Sequence, residues 1–208
     1  MANYCANSIY FYGSDKKLLT ELWKKIDECI DNRENRSVKK LLLLHGYTQD
    51  EADELADGRD YFTYLDDSVT ACGKDEYSFC AETESAWEPG MDAFEDLLVR
   101  KYRNKIKMVY QSEEPGCGIF VNSDKDGIYF TDRFRLSWCY NGEYGTAYFS
   151  DWEETVEDLN GNFPKAKIDI STTPAESEKR IREAYGLKDD SNDYITVDVF
   201  ECPEETAA

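Results

Sequence analysis

The chain has 208 residues, with 44 acidic side chains against 24 basic ones and a formal net charge of −20. That balance repels phosphates and anionic lipid surfaces, so direct nucleic-acid binding and membrane contact are not expected. Its 15 Tyr, 10 Phe and 4 Trp supply enough burial for a packed core and argue against global disorder.

The run NSIYFYG (7–13) is short, aromatic and β-branched, and reads as a first strand. Ser14 and Asp15 offer capping oxygens, and Leu18, Leu19, Leu22, Trp23, Ile26 and Ile30 recur at helical spacing, which predicts an amphipathic helix over about 15–31. DNRENRS (31–37) is a polar break. In 38–62 a short helix carries Leu41 to Leu44 and stops near Gly46. Thr48 then caps a second helix, with Glu51 at the capping-box position, and Gly58 ends it. This helix–turn–helix shape has the wrong sign for DNA, because its second helix carries Asp50, Glu51, Asp53 and Glu54.

YFTYLDD (61–67) and YSFCAETESAW (77–87) read as strands joined by turn material, ACGKDE. A second main helix follows Pro89 and Gly90, with Met91, Phe94, Leu97, Leu98 and Tyr102 on one face. KIKMVYQSEE (105–114) alternates like a half-buried strand. The order strand, helix, strand, strand, helix, strand is the ferredoxin-like βαββαβ arrangement. It predicts an α+β fold with a helical insertion before the second strand, each main helix covering one face of a four-stranded antiparallel sheet. Residues 116–150 add two or three strands that extend this sheet as a meander, with DKDG and NGEYG as turns. DWEETVED (151–158) is a solvated helix face, TPAESEKRIREAYG (173–186) is a helix, and DYITVDVFEC (193–202) is a late strand. The expected organisation is a domain over 1–150, with its insertion at about 37–60, and C-terminal elements of 151–208 packing on the same domain.

Three stretches carry a family resemblance. MANYCANSIYFYG resembles the "MANWCxN" opening of the YubB-like ferredoxin-like proteins of phages and mobile elements. SAWEPGMDAFEDLLVRKY resembles that family's "TAWxPP…F…L" corner, and IKMVYQSEEPGCGIF its following "l.Y.EpG.gF.G" strand and turn. The resemblance covers residues 1 to about 140; YFTYLDDS (61–68) lacks the Trp-Gly-rich strand of the pattern. It implies a ferredoxin-like fold and no particular activity, and it marks Asn3, Trp87, Glu114 and Gly116 as the places to look for a site. On the residues alone, 84–102 is a strand-to-helix corner with Trp87 folded over it as a lid, and Asn3 and Glu114 satisfy backbone groups.

Other constellations are weak. Seven cysteines form no CxxC pair, which points to buried thiols in a reducing cytoplasm, and no metal or cofactor is expected. The longest aliphatic run, Leu41 to Leu44, cannot span a bilayer, and MANYCANSIYFYG has no signal-type pattern. His45, the only histidine, lacks a catalytic partner motif. SDKDG (123–127) is a hairpin turn and not a calcium loop.

Residues 49–92 hold 14 acidic side chains against Arg59 and Lys74. Asp50, Glu51, Asp53, Glu54, Asp57, Asp66 and Asp67 form the candidate acidic face. The leading expectation is a non-catalytic acidic protein-interaction domain whose partner is a basic host protein. One rival is a nucleic-acid mimic that inhibits a host DNA- or RNA-binding protein, which requires those carboxylates on one face. The other is a carboxylate enzyme built on Glu113, Glu114 and Asp132.

Overall fold

The computed structural model describes residues 3–31, 36–56, 58–188 and 192–203. The protein is α+β, with antiparallel sheets. It divides into two compact units, Met1–Val121 and Asn122–Ala208. The division falls at 121/122, whereas the sequence reading takes 1–150 as one domain with 151–208 packing on it.

The first unit opens with β1 (Tyr4–Gly13) and α1 (Lys16–Asp31). Asp15 Oδ1 accepts from the amides of Lys17 and Leu18, satisfying donors the helix cannot. Next come α2 (Val38–Leu44), capped by Ser37, and α3 (Gln49–Leu55), where Thr48 and Glu51 form the expected capping box. Then follow β2 (Tyr61–Leu65), β3 (Thr70–Gly73), β4 (Glu76–Ala86), α4 (Asp92–Arg100), β5 (Lys107–Glu114) and β6 (Ile119–Asn122). The sheet runs β2-β4-β1-β5-β6, with β3 also paired to β4. β1 lies at its centre, antiparallel to β4 and to β5.

Three expectations change here. ACGKDE is not only a turn: Thr70 to Gly73 pair with β4, and Asp75 takes a positive φ of 61° to close the hairpin. The two main helices do not take one face each. α1 to α4 share a single hydrophobic cluster with Ile9, Phe11, Phe62, Phe79 and Ala81, so all four lie on one face of the sheet. Phe11 stacks on Phe79 at 5.2 Å and meets Phe94 of α4 at 5.7 Å. Burying each such ring contributes about 1.5–3 kcal/mol. Finally, only β6 extends the first sheet; the remaining strands form a second one.

That second sheet belongs to the second unit. It comprises β7 (Phe134–Tyr140), β8 (Glu143–Phe149) and β9 (Tyr194–Val199), in the order β8-β7-β9. Asn141 and Gly142, with φ of 53° and 82°, make the two-residue turn joining β7 to β8, as an Asn-Gly pair favours. α5 (Trp152–Asn162) is capped by Asp151, and α6 (Pro174–Tyr185) runs from Thr173 to the left-handed Gly186. Leu136, Val156, Leu159, Phe163, Ile181, Ile195 and Val197 form the core. SDKDG is not a hairpin turn, because β6 and β7 belong to different sheets. It begins a loop in which Asp124 Oδ2 accepts from the amides of Tyr129 and Phe130.

Candidate functional site

Alternation along β1 puts Cys5, Asn7, Ile9 and Phe11 on the helix-covered face. The register sets Asn7 between Thr83 of β4 and Ser112 of β5, and Cys5 beside Ser85. One end of this face is therefore a buried polar layer, while Ile9 and Phe11 continue it as apolar core. Asn7 Nδ2 lies 3.2 Å from the Cys5 carbonyl, 3.2 Å from Thr83 Oγ1 and 3.0 Å from Ser85 Oγ. Its Oδ1 accepts from the Cys5 thiol at 3.5 Å. Ser112 Oγ is buried with no hydrogen-bond partner among the described residues. Burial, and then the carboxylates of Glu114 and Glu113, push the Cys5 thiol up to about 12, so it stays neutral and is no nucleophile.

Three of the four residues marked by the family resemblance meet beside this layer. A methyl group built on Gly116 would lie 2.7 Å from Glu114 Oε1 and 2.9 Å from Asn3 Nδ2. Only a glycine lets the Glu114 carboxylate and the Asn3 amide lie against the turn backbone. Asn3 Nδ2 also donates to Cys117 Sγ at 3.6 Å. Asn3 and Glu114 thus touch the turn that follows β5.

Trp87 is a separate feature. It stands at φ 71°, a left-handed conformation costly for a bulky side chain, and is 48 % exposed. The corner is held instead by Ser85 Oγ, which donates to the Glu88 carbonyl at 2.5 Å, and by Gly90 at φ 66°. The expected lid is therefore an outward-facing indole.

The acidic stretch is divided, and several of its carboxylates are engaged within the molecule. Glu51 pairs with Arg100 at 2.8 Å and bonds the Thr48 amide, which together hold its carboxyl down at about 2. Asp53 pairs with Lys39, and Asp66 accepts from the Cys80 amide and the Tyr64 hydroxyl. Asp50, Glu54 and Asp67 are exposed, and Asp57 lies outside the described residues. α3 packs with the helices on one side of the sheet, while Glu82 and Glu84 of β4 point to the other. The carboxylates of 49–92 do not share a face.

The side of the sheet opposite α1 to α4 carries a pattern the sequence reading misses. Tyr61 pairs with Glu84 and Tyr64 with Glu82; the register shifts between Phe62 and Tyr64, leaving Thr63 as an extra residue. This bulge returns Tyr64 to the face of Tyr61, whereas three residues of regular strand would put them on opposite faces. Both rings are exposed, at 39 % and 47 %, and both hydroxyls are fixed, on the Gly58 carbonyl and on Asp66. Across β4, Glu84 pairs with Ala6 and Glu82 with Ser8, so two tyrosines and two glutamates border a floor of small residues. The alternation of Glu82 and Glu84 is visible in CAETES, but the bulge is not.

Catalytic groupings are weak. Glu113 and Glu114 are neighbours on one strand and point to opposite faces, and Asp132 belongs to the second unit. His45 is tied between the Leu41 carbonyl (Nδ1, 2.8 Å) and the Tyr102 hydroxyl (Nε2, 2.7 Å). Among the described residues no cluster of His, Cys, Asp and Glu is placed to hold a metal ion, and no helix is long and apolar enough to cross a membrane. Compared with protein-family models, curated proteins and solved structures, the chain matches none.

Proposed function

We propose that the first unit is a non-catalytic, acidic protein-interaction domain of the YubB-like, ferredoxin-like type, and that it meets a basic partner through the sheet face carrying Glu82 and Glu84. The strand order β2-β4-β1-β5, with α1 and α4 as the crossovers, supports the ferredoxin-like reading. The meeting of Asn3, Glu114 and Gly116 supports the family reading. The interaction reading is carried by one observation: Glu82 and Glu84 stand beside exposed, fixed tyrosines and form no ion pair among the described residues. Charge and aromatic rings together suit Lys and Arg side chains. The division of the 49–92 carboxylates between two sides of the sheet favours this over phosphate mimicry.

The test is calorimetric titration of the full chain with an unstructured Lys/Arg-rich peptide at low and high salt. Saturable binding that weakens with salt is expected. No binding at low salt overturns the reading.

A further inference from the structure

The two Tyr–Glu rows are a defined distance apart, and that distance is a statement about the ligand. Glu84 and Glu82 are two residues apart on β4, so the row with Tyr61 and the row with Tyr64 are separated by about 6.8 Å along the strand. An extended peptide places side chains i and i+2 on one side at this same spacing, while i and i+1 point to opposite sides. Beside the rows, Ala6 and Ser8 of β1 keep the floor low enough for long side chains to lie across it. Each seat offers a tyrosine ring of fixed orientation and a carboxylate, the pair of groups that attract an ammonium or guanidinium at a surface.

We infer that this face binds an extended segment with Lys or Arg at alternate positions, one cation to each Tyr–Glu row. The inference rests on the proposed basic partner and adds its spacing. The bulge at Thr63 is what builds the second seat; without it Tyr64 would leave Glu82 alone on the surface. A partner of this kind has its cations in register with a strand, not clustered on one turn of a helix.

The test is a fluorescence-anisotropy titration of the full chain with two labelled peptides of identical composition, Gly-Ser-Arg-Ser-Arg-Ser-Gly and Gly-Ser-Arg-Arg-Ser-Ser-Gly. One additional seated cation makes the alternating peptide bind about five-fold more tightly. The double variant Glu82→Gln/Glu84→Gln abolishes that preference. Asp50→Asn/Glu54→Asn, which removes the same charge from exposed sites on α3, preserves it. Equal binding of both peptides by the wild type overturns the spacing while leaving a basic partner in place. Failure of both peptides to bind overturns the partner reading with it. A preference that survives in the Glu82/Glu84 variant, or is lost equally in the α3 variant, overturns the assignment to this face.

Discussion

Replacing Asn7 by alanine tests the buried polar layer. Asn7 Nδ2 reaches the hydroxyls of Thr83 and Ser85 at 3.2 and 3.0 Å, and none of the three residues has much access to water. Each neutral hydrogen bond contributes about 0.5–1.5 kcal/mol net, and a buried group stripped of its partner costs about 1–3 kcal/mol. Ser85 retains its bond to the Glu88 carbonyl, so the groups that lose their partner are Thr83 Oγ1 and the Cys5 thiol. The expected loss for Asn7→Ala is about 2–4 kcal/mol. Thr83→Val removes a single acceptor at the same spot and costs less than about 1.5 kcal/mol. Native-state hydrogen exchange at the Ile9 and Phe11 amides reads this directly, since both lie on the central strand. A loss of that size accelerates their exchange by about a hundredfold. An Asn7→Ala protein whose β1 amides exchange no faster than those of Thr83→Val would refute the network argument.

Three further outcomes follow from other parts of the molecule. Burial holds the His45 imidazole below its ordinary value of 6.5, against the pull of the Leu41 carbonyl. The unfolded chain therefore takes the proton first, and stability falls as pH drops from about 6.5 through the lowered folded value. Urea midpoints between pH 7.5 and 5.5 should fall less steeply for His45→Gln than for the wild type, and parallel curves would refute this. Burial also pushes the thiols of Cys29 and Cys80 up to about 11 and about 12, whereas Cys72, Cys117 and Cys202 are exposed, against the expectation that the thiols are buried. Mass-resolved alkylation of the native chain at pH 8 should label the exposed three first and reach Cys5, Cys29 and Cys80 only in denaturant; equal labelling of Cys5 and Cys117 contradicts it. Gly145 faces the Trp138 indole, and a methyl group there would lie 3.0 Å from three of its ring atoms. Gly145→Ala should destabilise the second sheet by about 1–3 kcal/mol, seen in Trp fluorescence under urea, in place of the gain of about 0.4–1 kcal/mol from a stiffer unfolded chain.

What was legible in the sequence was local. Thr48 with Glu51, Asn141 with Gly142, and Pro174 with Gly186 announce their caps and turns because a few neighbouring residues determine the geometry. Asn3, Glu114 and Gly116 stand out in the sequence only as motif positions; that Asn3, more than 100 residues away, lies against the Glu114–Gly116 turn is visible only in the fold. Pairing between distant strands was not legible. β9 joins β7 across two intervening helices, and no property of either strand says which sheet it enters. The polar layer was hidden for the same reason: Asn7, Thr83 and Ser112 form a row only once register is fixed. Thr63 looks like any strand threonine, so the shift that gathers Tyr61 and Tyr64 leaves no local mark. Trp87 misled because a tryptophan at a corner ordinarily packs inward, and here the left-handed backbone turns it out.

The bulge has a second effect, on how the protein avoids itself. β2 ends the sheet order and would ordinarily offer a row of open amides and carbonyls to a second strand. Its first stretch is already engaged, since the Phe62 amide donates to the Arg36 carbonyl and the Asp60 carbonyl accepts from Val38. Thr63 breaks the ladder immediately afterwards, leaving too short a straight edge to template another chain. Strand addition at this margin is closed, and on the broad side of the sheet mutual repulsion between acidic copies discourages self-association.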